Sequence, residues 1–165
     1  MRRIMSVLVE NKAGVLSRTS GLFSRRGFNI ESLAVGETED KTVSRMTIVV
    51  SGDERMIEQV EKQLNKQIDV IKVKTLEMDT STRRELVLIK VGASQQNRGE
   101  IIDICQIMKA KIVDLSHTTL TVEMCDRPER CNLLLEMLSS YGISELARTG
   151  MIALQKGSGS ITAKK

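Results

Sequence analysis

Hydrophobic residues in the first half of the chain recur with two spacings, one typical of strands and one typical of helices. Residues 4–9 are apolar on both alternating faces, which predicts a central strand. From residue 14 to 26 the apolar side chains recur every three or four positions, which predicts a helix with one buried face. A second helix is predicted after Asp53, with Met56 or Ile57, Val60 and Leu64 buried, and further strands are predicted at 28–35, 43–51 and 68–76. This order of strand, helix, strand, strand, helix, strand is that of a ferredoxin-like domain.

The same order of elements repeats after a polar linker at residues 78–83. In the second half we predict strands at 85–91, 111–117 and 120–125, a helix at 97–109, a helix beginning at Pro128, and one longer or interrupted strand at 143–154. The chain is therefore predicted to be an α+β protein of two ferredoxin-like βαββαβ domains, at 1–77 and 84–157. Residues 158–165, which include most of a run of glycine and serine at 157–160, are predicted to form a flexible tail.

The composition is that of a globular protein and gives little support to several functional classes. Hydrophobic residues make up 41% and charged residues 28% of the chain, and the net charge of +4 is too small to indicate nucleic acid. Cys105, Cys125 and Cys131 lack CxxC spacing, which disfavours a disulfide framework or a zinc knuckle and favours a reducing compartment. The apolar run after Met1 is too short for a signal peptide or a membrane span, so we expect a cytoplasmic location.

No arrangement of residues in the sequence indicates catalysis. His117 is the only histidine, and no cysteine or acid stands at a spacing that would make it part of a nucleophilic site. Phosphate-loop, dinucleotide-binding and zinc-protease motifs are absent from the sequence, so we expect no catalytic residue and no metal ligand. RNA binding is a weak alternative, because the RNA-recognition fold shares this order of elements but stacks bases on aromatic residues that the predicted inner strands lack.

The turn between the first strand and the first helix is the best candidate for a binding site. Asn11 is a favourable helix N-cap residue, and Gly14 allows another group to approach the backbone. The first N–H groups of a helix carry partial positive charge and lack intrahelical partners, so they suit a carboxylate. Asn29 is expected near the same end of the sheet, and the apolar residues expected around the site are Ala13, Val15, Leu16, Ile30 and Leu33. These residues predict a site for an aliphatic amino acid, and an ordinary helix cap with a tight turn is the alternative explanation.

Residues 11–18 and 21–33 carry a resemblance to a known family. They read Asn-Lys-Ala-Gly-Val-Leu-Ser-Arg and Gly-Leu-Phe-Ser-Arg-Arg-Gly-Phe-Asn-Ile-Glu-Ser-Leu, and they strongly resemble the small, regulatory subunits of acetolactate synthase (acetohydroxyacid synthase). The resemblance continues through residues 44–48 and 58–66. Beyond residue 83 it is looser and is carried by residues 84–86, 88–91 and 147–150.

This resemblance implies that residues 1–77 form an ACT domain, an amino-acid-sensing module with a ferredoxin-like fold. In the family, two such domains pair side by side in a homodimer and bind valine, or another branched-chain amino acid, at their interface. The resemblance implies that the turn of one subunit faces the second strand of the other. The implied ligand-binding residues are Asn11, Ala13, Gly14, Val15 and Leu16 from one subunit and Asn29 and Ile30 from its partner.

The resemblance also implies that the chemistry belongs to another chain. The family's large catalytic subunit carries thiamine diphosphate, Mg²⁺ and FAD, and it condenses two pyruvates, or pyruvate with 2-oxobutyrate. The small subunit is implied to hold no cofactor, to activate the catalytic subunit and to transmit feedback inhibition by valine in branched-chain amino acid biosynthesis. A free-standing amino-acid sensor that acts on some other enzyme is the alternative function, and no nucleic acid or membrane partner is expected.

Overall fold

A computed structural model describes residues 2–162 and divides the chain into two compact units. The first unit contains residues 2–82 together with 151–162, and the second unit contains residues 83–150. Each unit has an antiparallel sheet and two helices. The change of unit near residue 82 lies within the predicted linker, whereas the return of the chain at residue 151 was not predicted.

The first unit has the element order β1–α1–β2–β3–α2–β4. Its elements are β1 (Arg2–Glu10), α1 (Val15–Arg25), β2 (Ile30–Glu37), β3 (Val43–Ser51), α2 (Glu54–Leu64) and β4 (Val70–Leu76). The strands are arranged β2-β3-β1-β4, and every neighbouring pair is antiparallel. This is the predicted ferredoxin-like arrangement, and it makes β2 and β4 the two edges of the sheet.

One face of this sheet packs against both helices. The buried positions of α1 are Val15, Thr19, Leu22 and Phe23, and those of α2 are Ile57, Val60 and Leu64. Met56 and Ile57 were the alternatives for the first buried position of α2, and Ile57 is the buried one. Helix α2 begins where predicted because the Asp53 carboxylate accepts a 2.7 Å hydrogen bond from the Met56 N–H.

The second unit repeats this arrangement. Its elements are β5 (Ser81–Gly92), α3 (Arg98–Met108), β6 (Lys111–Leu115), β7 (Thr119–Asp126), α4 (Pro128–Leu138), a 3₁₀ turn (Ser139–Tyr141) and β8 (Ile143–Arg148), with sheet order β6-β7-β5-β8. Pro128 occupies the first turn of α4, as predicted. Strand β5 begins at Ser81, so part of the predicted linker is strand.

Of the prediction of one longer or interrupted strand at residues 143–154, the interruption is confirmed, but the two pieces belong to different units. β8 ends at Arg148, Gly150 has a φ of 79°, and a separate strand β9 (Ile152–Gln155) belongs to the first unit and pairs with β5. Met151 and Ala153 are buried there with Ile4, Val49 and Leu76, and the Met151 N–H donates a 3.0 Å hydrogen bond to Ser32 Oγ.

The predicted flexible tail at residues 158–165 is also wrong in the part that the structure describes. Ile161 is buried against Leu8 and Val43, and its carbonyl accepts a 3.0 Å hydrogen bond from the Arg45 guanidinium. An apolar side chain with two apolar partners holds the segment on the sheet. Residues 163–165 of the predicted tail lie outside the described residues.

Candidate functional site

The candidate site is the turn between β1 and α1, and Gly14 defines its shape. Gly14 immediately precedes α1 with φ 84° and ψ −8°, in the left-handed region that favours glycine. A Cβ added at this position would lie 2.9 Å from the Arg18 Nη1 atom. No side chain caps α1, so the prediction that Asn11 is the N-cap residue is wrong.

Asn11 instead ties the turn to the loop between β2 and β3. Its Nδ2 donates to Glu37 Oε1 at 3.0 Å and to the Lys41 carbonyl at 2.9 Å, and its backbone N–H donates to the Thr42 carbonyl at 2.7 Å. Sequence reasoning missed Glu37, because it lies 26 residues from Asn11 and no local pattern links the two. These bonds fix the position of the turn relative to the end of β2.

The N-terminus of α1 presents backbone donors that have no acceptor. Within residues 2–162, no hydrogen-bond partner is found for the N–H groups of Ala13, Gly14, Leu16 and Ser17. The Val15 N–H makes only a long bond of 3.4 Å, to the Lys12 carbonyl. These donors form the positive end of the helix dipole, and an anion such as a carboxylate would satisfy them.

The first turn of α1 also lacks an acidic side chain. The other three described helices each carry a glutamate there: Glu54 in α2, Glu100 in α3 and Glu129 in α4. The electrostatic field of those helix ends is therefore partly neutralised within the chain, whereas that of α1 is not.

The cations nearest to this turn already have carboxylate partners. Lys12 Nζ lies 2.6 Å from Glu10, and an Arg18 Nη atom lies 2.7 Å from Asp69. The hydrogen bond to Glu10 raises the pKa of Lys12 above its ordinary value, so Lys12 stays charged at neutral pH. Because these charges are paired, the backbone N–H groups supply the main attraction for an anion.

The apolar residues of the predicted site separate into buried and exposed sets. Val15 belongs to the core of the first unit, and Ile30 and Leu33 pack against that core from β2. Ala13 and Leu16 are exposed beside the free N–H groups. Within one chain, these two side chains are the apolar members of the predicted set that a ligand at the turn would contact.

Asn29 and Ile30 lie at the opposite end of the sheet from the turn of the same chain. β1 and β2 are both antiparallel to β3, and Ile30 pairs with Val50, which pairs with Arg3. The turn follows Glu10, seven residues further along β1, which is roughly 23 Å at about 3.3 Å per residue. The prediction that Asn29 lies near the turn is therefore wrong within one chain. A signal was present, because a strand–helix–strand crossover with parallel strands starts the second strand where the first one starts.

Other candidate chemistry is limited in the described part of the chain. Among residues 2–162, no group of three or more His, Cys, Asp or Glu side chains could hold a metal ion. No helix in this range is long and apolar enough to cross a membrane. His117 is exposed in the loop between β6 and β7, Cys105 and Cys131 are buried, and Cys125 is exposed.

Comparisons with known proteins agree across both units. The sequence model of an AHAS small subunit-like ACT domain matches residues 5–72, and that of the small subunit of acetolactate synthase matches residues 84–157. The chain is 53% identical over 161 residues to an acetolactate synthase small subunit of Mycolicibacterium smegmatis, covering 98% of this chain and 95% of the relative. It is 50% identical over 153 residues to an acetolactate synthase small subunit of Mycobacterium leprae, covering 93% and 90%. The crystal structure of the acetolactate synthase small subunit from Thermotoga maritima matches with a TM-score of 0.90 at 35% identity, covering 96% of this chain and 99% of that one.

Proposed function

Because the chain belongs to the family of acetolactate synthase small subunits, we propose that it regulates an acetolactate synthase catalytic subunit by docking to it. The chain supplies no catalytic residue and no cofactor. Condensation of the 2-oxo acids, with thiamine diphosphate, Mg²⁺ and FAD, takes place on the catalytic subunit. Docking raises the activity of that subunit, and valine bound to the ACT domain lowers it, in branched-chain amino acid biosynthesis in the cytoplasm.

The single observation that supports a valine effector is the set of free N–H groups at the start of α1. Ala13, Gly14, Leu16 and Ser17 offer donors without acceptors, and no acid of the helix competes for them. The carboxylate of an amino acid has the charge and the acceptor atoms that this site lacks. The exposed Leu16 side chain, 45% accessible, lies next to the donors and suits a branched aliphatic side chain.

A homodimer would form through β2, one of the two sheet edges. From Ser32 to Gly36 this strand has no charged residue, and Val35 is 45% exposed. The other edge, β4, carries Lys72 and Lys74, and lysine on an edge strand opposes pairing with another strand. The uncharged edge is the one that favours addition of a second copy.

A two-fold axis beside the middle of β2 would complete the site. Such an axis pairs the two β2 strands antiparallel, so that Ile30 of the partner subunit lies opposite Glu37 when the axis passes between Leu33 and Ala34. Glu37 is bonded to Asn11, and Asn29 of the partner subunit then comes beside the turn. The proposed binding site consists of Asn11, Ala13, Gly14, Val15 and Leu16 with the partner's Asn29 and the partner's Ile30.

Titration calorimetry of the full chain with valine tests this function directly. We expect saturable binding with one valine per chain, and an increase in thermal stability with valine concentration. Leucine and isoleucine, titrated in parallel, establish which branched-chain amino acid binds best. Absence of both heat and thermal shift at millimolar valine would contradict the proposed effector. Retention of the catalytic subunit by the immobilised chain tests the docking separately.

A further inference from the structure

A cavity lies in the first unit, on the face of the sheet opposite α1 and α2. Its volume is about 240 Å³. The sheet contributes Ser6 from β1, Arg45 from β3, and Lys74 and Leu76 from β4. The C-terminal segment, defined here as residues 151–161, contributes Leu154, Gln155, Gly157, Gly159, Ser160 and Ile161.

The C-terminal segment is held over this cavity at both ends. Met151 and Ala153 pack in one apolar cluster with residues of the sheet, and Ile161 packs in another. The Arg45 guanidinium also donates to the Ile161 carbonyl at 3.0 Å. The cavity is therefore a chamber between two apolar contacts, formed by the sheet and the segment, and its lining includes Arg45, Lys74 and Ser6.

Two cations meet in this chamber without a counterion. Arg45 and Lys74 are both partly buried, and no acidic residue lines the cavity. Throughout the described range 2–162, no salt bridge includes either side chain. Two like charges that are partly removed from water repel each other, and a bound anion would offset that repulsion.

A buried hydroxyl group in the chamber also lacks a partner. Ser6 is 0% exposed, and its Oγ has no hydrogen-bond partner in the described part of the chain. Ser6 pairs with Lys74 across the β1–β4 ladder, so both side chains stand at the same level of the sheet. Buried polar atoms are rarely left unbonded in native proteins, so this hydroxyl is an unused hydrogen-bond donor beside the cavity.

Two glycines allow the C-terminal segment to pass closely over the cavity. Gly157 has a φ of +73°, and a Cβ at Gly159 would lie 2.6 Å from the Gln155 side chain. Glycine therefore lets the segment turn closely over the chamber. The remaining space accommodates a tetrahedral or planar anion of a few heavy atoms.

We propose that this chamber binds a small oxyanion. A phosphate or carboxylate group bridges Arg45 and Lys74 and accepts a hydrogen bond from Ser6 Oγ. The bound group links the sheet to the C-terminal segment. This site is separate from the turn at the start of α1 and lies on the other face of the sheet, so it does not depend on the proposed valine site.

Inorganic phosphate is the probe for the test. The full chain is titrated with phosphate at constant ionic strength, with chloride as the replaced ion, and binding is followed by ³¹P NMR and by thermal stability. We expect saturable binding that Lys74→Gln weakens by about tenfold and Ser6→Ala by about threefold. Lys72→Gln is the matched control, because it removes the same charge two positions earlier on β4 and outside the cavity, and it should keep the original affinity.

Equal losses of phosphate affinity in Lys74→Gln and Lys72→Gln would overturn the proposal, because the attraction would then be a general effect of charge. A parallel titration with acetate separates the two chemical sources of the anion. Saturable binding of either anion that Lys74→Gln selectively weakens supports the site, and failure of both anions to saturate overturns it. Lys74 donates no described hydrogen bond, so the thermal stability of Lys74→Gln without anion should stay near that of the original chain.

Discussion

Gly14 is the residue on which the proposed valine site depends most directly. Its φ of 84° shapes the turn at the start of α1, and the neighbouring free N–H groups there can bind a carboxylate. We expect Gly14→Asp to weaken valine binding at least about tenfold, because the new carboxylate would occupy and neutralise this helix end. Calorimetry with the variant chain measures the effect.

Gly142→Asp is the matched control for this substitution. Gly142 lies in the second unit, also has a φ of 84°, and has no atom within 4 Å of an added Cβ. Gly142→Asp therefore imposes a comparable backbone strain and adds the same charge, but at a position away from the turn. Unchanged valine affinity in Gly14→Asp, with a stable fold, would place the effector elsewhere.

The three cysteines are expected to differ in reactivity because burial differs among them. Burial raises the pKa of the Cys105 and Cys131 thiols, whereas Cys125 is exposed. At pH 8 an alkylating reagent should therefore modify Cys125 alone in the folded chain and all three thiols in urea. Mass spectrometry of the labelled chain, with Cys125→Ser as the control, measures this. Rapid labelling of Cys131 in the folded chain would contradict the structure.

The same burial predicts a loss of stability at high pH. The folded-state pKa of Cys105 and Cys131 lies above the unfolded value, which is about 8.5. The protonated thiols therefore favour the folded state fully below that pH. Their contribution is lost as the pH rises through the folded-state pKa, since the unfolded chain releases these protons first.

Asn11 shows why the contacts of a residue were harder to predict than the turn that contains it. A turn between β1 and α1 was predictable, because a strand, a glycine and an amphipathic helix are local signals. The partner of Asn11 was not predictable in the same way. A preference for N-capping is a local tendency, and here the distant Glu37 carboxylate and Lys41 carbonyl compete for the side-chain amide.

Strand β2 is the element that would join two copies and place Asn29 at the partner's turn. This arrangement predicts complementation between two defective chains. Gly14→Asp disrupts the turn, and Asn29→Ala removes the side chain that the partner subunit contributes to the site. Each homodimer of one variant should therefore bind valine poorly. A mixed dimer should retain one intact site, formed by the turn of one chain and Asn29 of the other.

Mixing the two variants after unfolding and refolding together tests this arrangement. Random association should restore about one quarter of the original valine-binding capacity, since half of the dimers are mixed and each has one intact site. Calorimetry measures the number of sites. Refolding each variant alone provides the control. No recovery in the mixture would show that the two halves of the site do not come from different chains.

The ends of helices and strands were predictable where neighbouring residues in the sequence determine them. The bounds of β3 agree with the prediction at both ends, and Pro128 marks the start of α4. β2 lies two residues later than predicted. The Phe28 N–H still bonds to the Phe23 carbonyl at the end of α1, and Glu37 still pairs with Ser44. Strand ends depend on pairing with another strand, which an alternating pattern does not specify.

The whole chain differs from the predicted one mainly in the path of residues 151–162. This stretch belongs to the first unit, although it follows the second in sequence. An alternating apolar pattern predicts that one face of a strand will be buried, but it does not indicate against which of the two sheets that face will pack. The sheet face that it covers carries apolar residues such as Ile4 and Val49 together with polar residues such as Ser6 and Arg45, so the sequence did not mark that face as a buried one.

Adjacent residues in this stretch test the path. Met151 is 2% exposed within the first unit, whereas Ile152 is 55% exposed. We expect Met151→Ala to lower the free energy of unfolding by about 3 kcal/mol and Ile152→Ala by less than about 0.5 kcal/mol. Urea denaturation followed by circular dichroism measures both variants. Equal small effects would contradict the packing of Met151.

The packing of residues 151–161 on the face of the first sheet has a consequence for biosynthesis of the chain. Leu8 and Val43 are translated early, but their contact Ile161 is translated only after the whole second unit. The amino-terminal unit therefore cannot reach its final packing in the usual order, in which leading domains mature first. The nascent chain must keep part of that sheet uncovered while the second unit is made, and a premature stop codon between the codons for Gly150 and Met151 would leave the surface uncovered.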